Sequence, residues 1–157
     1  MSQNFQPPTP TPYTEAPAPA PARRGNVGLG VVAAVVAGLI GAAAYGGIMY
    51  AMDRERAFGA IAVGLLVGFA AGKLGGRNPV LPAVAGLVSI GGIYLGKMFL
   101  FALALADLNK VGMTEVIDKI GIGGLNDIVK ESMDGWAYLY IGISVLVAIG
   151  ATKKAND

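Results

Sequence analysis

Four long apolar stretches divide the chain. They run from Val27 to Met52, from Ala57 to Leu74, from Val80 to Ala106, and over 135–152. Each approaches or exceeds the roughly 20 residues that cross a bilayer as a helix; the last is at the short end of that range. Asp53-Arg54-Glu55-Arg56 separates the first two. Gly75-Gly76-Arg77-Asn78-Pro79 reads as a turn, and Pro82 suits the first turn of the helix that follows. The pattern predicts an all-α fold, a four-transmembrane-helix bundle occupying residues 27–157. The crossing number is even, so both termini belong on one side.

Within the spans, small residues recur every fourth position. Ala60, Gly64, Gly68 and Gly72 continue to Gly76; Ala34, Gly38, Ala42 and Gly46 do the same in the first span, and Gly92 and Gly96 in the third. Lipid tails are as apolar as leucine, so helices in a bilayer associate through close van der Waals contact, which small residues permit. Four residues turn a helix by about 400°, so such a stripe drifts about 40° per step. Over Ala60 to Gly76 the drift is about 160°, and two neighbouring helices are expected to share it. The fourth span shows Ile, Leu and Val in place of glycine. Helices 1 to 3 are therefore expected to form a tight unit with the fourth outside it. Packing within one chain is favoured over homo-oligomer formation, since one chain already supplies several neighbours.

Two segments break the apolar pattern. Residues 1–26 hold seven of the nine prolines, in alternating Ala-Pro and Thr-Pro. Proline lacks an amide donor and restricts its predecessor, so a disordered tail of polyproline II character is expected. It serves either as a spacer or as a docking peptide for a cytoplasmic protein; Pro7 and Pro10 supply one P-x-x-P spacing. Arg23-Arg24 and the small residues Ala42-Ala43-Ala44 raise the question of a cleaved signal. The apolar run continues past those alanines to Met52, which favours a retained helix. Residues 107–134 carry six carboxylates against three lysines. Val116, Ile117 and Ile120 recur at helical spacing, with Thr114 as N-cap and Gly121 as stop. Two short amphipathic helices between spans 3 and 4 are expected, followed by an aromatic belt of Trp136, Tyr138 and Tyr140.

Composition agrees with the membrane class: 54% hydrophobic residues and only 14% charged ones among 157. Basic residues in the loops divide six against five between the two sides. Arg23 and Arg24, directly before the first span, then favour cytoplasmic termini in a cell-membrane protein. No basic patch interleaves with aromatics, so no nucleic-acid partner is expected. The chain has no cysteine and no histidine. Thiolate and imidazole metal sites are thereby excluded, and no cofactor is expected. No nucleophile stands with a base, Gly121, Gly123 and Gly124 lack the Lys-Ser/Thr of a phosphate loop, and enzyme is the least favoured class. Ser89 and Ser144 read as helix-packing hydroxyls.

Lys97 is the one charge well inside an apolar stretch. It snorkels, pairs with Asp53 or Glu55, or lines a polar path. The spans otherwise lack Asp, Glu, His and Arg, which weighs against a proton-coupled pump.

The run AGLIGAAAYGGIMYAMDRERAFGAIAVGLLVGFAAGKLGG with GLVSIGGIYLGK, about residues 37–97, resembles small multi-spanning bacterial proteins of the actinomycete type with proline-rich N-terminal tails. The resemblance implies a four-helix membrane fold; those proteins have no assigned function, so it carries no activity over to this chain. Taken together, the features favour a scaffold or accessory subunit that contacts lipid, a cytoplasmic protein through the tail, and a membrane-protein partner. The alternative is a small oligomeric channel or transporter component.

Overall fold

The computed structural model describes residues 5–10, 25–52 and 57–157. Residues 5–10 form neither helix nor strand and are exposed. The rest of the Pro-rich segment up to Arg24, and the 53–56 connection with Asp53 and Glu55, lie outside the described residues.

Among the described residues there are five helices and no strand: α1 (Val27–Met52), α2 (Ala57–Gly75), α3 (Val80–Asn109), α4 (Met113–Glu131) and α5 (Gly135–Asn156). Four of them, α1, α2, α3 and α5, are long and apolar enough to cross a membrane. The expected starts agree with these helices. The ends of α3 and α5 lie further on, because hydropathy marks where apolar character stops, while a helix continues until its backbone bonds are interrupted. In α3 the stop is Lys110, in the left-handed region at φ 54°, whose N–H bonds back to the Ala106 and Asp107 carbonyls.

The four long helices form a closed ring in the order α1, α2, α5, α3, with α2 and α3 also touching across the short diagonal. α1 and α5 do not meet. One end of the bundle gathers the start of α1, the α2–α3 turn and the end of α5: Arg77 and Asp157 stand 3.7 Å apart. The opposite end carries α4, which packs on α3 alone.

Two interfaces between parallel helices are drawn close. Between α1 and α3, a Cβ on Gly46 would stand 2.7 Å from the Gly96 carbonyl oxygen, and one on Gly96 3.1 Å from that of Ala42. Between α2 and α5, Cβ atoms on Gly64, Gly68 and Gly72 would stand 2.5, 2.5 and 2.7 Å from the carbonyl oxygens of Ser144, Ala148 and Thr152. The glycine Cα atoms thus face carbonyls, the setting of weak Cα–H···O contacts.

This arrangement corrects three expectations. First, α5 is not packed outside a three-helix unit; it is the partner of the α2 glycines. Its own small residues, Ser144, Ala148 and Thr152, recur every fourth position and are fully buried. They were hidden between the β-branched residues of its outer faces, and hydroxyl side chains fill the same role as glycine there. Thr152 Oγ1 donates to the Ala148 carbonyl at 2.8 Å, which satisfies it within its own helix. Second, Gly64, Gly68 and Gly72 serve one neighbour and not two, because α5 runs parallel to α2 and follows the drifting stripe. Gly76 has left the helix, at φ 71°. Third, α4 is capped by Gly112 and not Thr114: the Glu115 and Val116 amides bond to the Gly112 carbonyl. The expected break at Gly121 is present, with φ 72° and ψ 169° dividing α4 into two short halves.

Glycines facing outward give an internal comparison. A Cβ on Gly142 or Gly91 meets nothing within 4 Å. Gly68→Val should therefore cost about 1–3 kcal/mol by overpacking, while Gly142→Ala should change stability by less than about 1 kcal/mol. Reversible unfolding in mixed micelles, followed by helical circular dichroism, measures both.

Candidate functional site

The small residues singled out by spacing occupy the interfaces between helices. Ala34, Ala42 and Ala60 are buried, and Ala34 and Ala60 belong to the central apolar cluster with Val63, Val67 and Ile93. Gly38 and Gly92 meet where α1 crosses α3: a Cβ on Gly92 would stand 3.2 Å from the Gly38 carbonyl oxygen. Val63 of α2 closes on the same point, 3.3 Å from that Cβ. These residues bring backbones together and carry no chemistry of their own.

Lys97 is different. It is 2% exposed, on the inner face of α3 one turn beyond Ile93. Its height follows from the helices it faces. Gly86 lies against Val145 and Ile149 of antiparallel α5, and Gly92 against Val63 of antiparallel α2. Carrying both registers along α3 puts Lys97 level with residues 134–138 of α5 and near Phe58 of α2. Those are the first turns of the two shorter helices. Although Lys97 interrupts the apolar run of its own helix, it stands at the rim of the bundle as α2 and α5 define it. Beyond it α3 rises about 18 Å further at the helical pitch. Asp53 and Glu55, its expected partners, lie outside the described residues.

The same end is shaped by α4. It turns back along α3 and buries Val116, Leu125 and Val129. The Tyr94 hydroxyl of α3 donates to Asn126 Oδ1 of α4, tying the second half of α4 to the spanning helix. At the tip, Lys110 Nζ bonds to Asp107 Oδ1 at 3.2 Å, and the Tyr50 hydroxyl of α1 lies near the same carboxylate. Lys119 pairs with Glu115 one turn away at 2.8 Å. Both ion pairs are exposed and contribute little to stability. Trp136 and Tyr138 are largely exposed at the start of α5, and the Trp136 and Tyr140 rings lie 6.4 Å apart.

Among the described residues, the other fully buried polar residues of the spans are Ser89, Ser144 and Thr152. Ser89 Oγ donates to the Gly86 carbonyl at 2.8 Å, so it is satisfied in its own helix, as is Thr152. Ser144 Oγ has no hydrogen-bond partner among the described residues. No group of three or more acidic side chains stands close enough to hold a metal among the described residues. A cleft of about 350 Å³ opens between α1 and α2, lined by apolar residues such as Ile40, Ile48, Phe58 and Leu66. Sequence reasoning missed the Tyr94–Asn126 tie. Its signal was a polar residue on each of two adjoining apolar faces, but nothing in the spacing pairs them.

Comparison with protein-family models, curated proteins and solved structures returned no match. The four apolar helices are compatible with a multi-pass membrane protein.

Two outcomes test this geometry. Tyr94→Phe should raise amide exchange over residues 122–131 about tenfold, the worth of one hydrogen bond, with α1 and α2 unchanged by mass spectrometry. Because the chain lacks cysteine, Lys97→Cys and Lys119→Cys can be labelled singly. A polar maleimide should modify the exposed position at least tenfold faster than the buried one.

Proposed function

We propose that the chain is an integral membrane scaffold or accessory subunit, with both termini cytoplasmic and no catalytic role. The observation that carries this reading is the closed interior. Glycine contacts bring α1 against α3 and α2 against α5 at backbone distance, and Ser89 and Thr152 turn their hydroxyls onto their own helices. A permeation path needs polar groups or water along the axis; Lys97, at the rim, supplies one such group at one level only. That supports a scaffold over a channel formed by a single chain.

Groups that could meet partners stand at the two ends. Residues 5–10 are exposed at the tail, with Phe5 prominent. α4 presents Glu115, Asp118, Asp127 and Glu131 at the other end. In this reading the tail recruits a cytoplasmic protein and α4 contacts a second membrane protein. The resemblance of residues 37–97 to small actinomycete membrane proteins fits the same picture.

Crosslinking in native membranes, with mass spectrometry of the captured chains, tests the proposal. The full chain should capture a distinct partner, and deletion of residues 2–22 should abolish that capture while leaving membrane insertion intact. Self-crosslinks alone in both forms would favour the oligomeric channel, to be tested by solute flux with Lys97→Met.

A further inference from the structure

The end of the bundle that holds the termini carries a second cleft, of about 760 Å³, between α3 and α5. Its lining is part polar and part apolar. Arg77, Asn78, Lys153, Asn156 and Asp157 supply its polar lining, and Pro82, Ala83 and Ile149 its apolar lining. Ile149 also packs against Gly86, one turn further into the bundle, so the apolar part of the lining continues along the helices. Lys73 and Lys154 lie at the same end, in the last turns of α2 and α5.

We propose that this cleft holds one anionic phospholipid, its phosphate between Arg77 and Lys153 and the start of its acyl chains against Pro82, Ala83 and Ile149. Two arguments carry the assignment. The first is charge. Among the described lining residues Asp157 is the one acidic side chain, and its contact with Arg77 is long, at 3.7 Å, with both side chains about three-quarters exposed. Such a pair is weak in water and yields readily to a phosphate, which guanidinium binds through two parallel hydrogen bonds. The second is position. The apolar stretches of α2, α3 and α5 all end at this level, so a phosphate at the mouth lies where a bilayer places its headgroups. Basic pockets between spanning helices are established binding places for anionic headgroups. A soluble phosphate would use the cations and leave Pro82, Ala83 and Ile149 uncovered, so the apolar lining selects the lipid. The assignment does not depend on the scaffold reading or on the tail.

The test is native mass spectrometry of the full chain extracted from vesicles of equal phosphatidylglycerol and phosphatidylcholine. One phosphatidylglycerol should be retained in preference to phosphatidylcholine. Each of Arg77→Gln and Lys153→Gln should lower that preference about fivefold, and the double variant should abolish it. Lys119→Gln, on α4 at the opposite end, should leave it unchanged. Both cleft cations are exposed at their charged ends, and helical circular dichroism of the variants verifies the fold. Equal retention of the two lipids, or an undiminished preference in the double variant, overturns the proposal. Release of the lipid by millimolar inorganic phosphate with equal occupancy would overturn the choice of a lipid over a free anion.

Discussion

The structure depends on how closely two backbones can approach. In a bilayer, leucine gains nothing by leaving lipid for protein, so helices are held by contact at short range. Here that contact is made twice between parallel helices. Gly64, Gly68 and Gly72 lay α2 against the carbonyls of Ser144, Ala148 and Thr152, and Gly46 and Gly96 join α1 to α3. The ring of four helices follows from these two pairs once the antiparallel turns join them. The interior holds apolar groups and the buried hydroxyls of Ser89, Ser144 and Thr152, of which Ser89 and Thr152 are satisfied within their own helices.

A closed interior moves the interest to the ends. At one end α3 outreaches α2 and α5, and α4 folds back along the excess, held by buried Val116, Leu125 and Val129 and by the Tyr94–Asn126 bond. Lys97 sits where the shorter helices begin, which reconciles a buried charge with an apolar bundle. At the other end α1 and α3 begin and α2 and α5 finish, and Arg77 and Lys153 line a cleft together with Pro82, Ala83 and Ile149. The two ends thus differ in kind: one is covered and acidic, the other open and basic.

Much of this was legible in the chain, and for identifiable reasons. Hydropathy located the four spans, since burial in lipid demands apolar side chains over a definite length. The helix break at Gly121 was also legible, because glycine adopts a positive φ without strain. The α5 stripe was not, since Ser144, Ala148 and Thr152 stand among Ile, Leu and Val and match a packing surface only when α2 is placed beside them. The level of Lys97 is not readable from its own helix alone, because depth belongs to the bundle and α3 is longer than α2 and α5.

What the sequence by itself determined is the set of spans, their alternating direction and the small residues that allow close approach. These are local properties: each follows from the side chains of one segment and the solvent it must face. Which helix each stripe meets, and which residues share the rims and clefts at the two ends, only the tertiary structure decided. A four-residue stripe fits any helix that follows its drift, and the choice among partners rests on register and parallel direction, which arise only when all four helices pack at once.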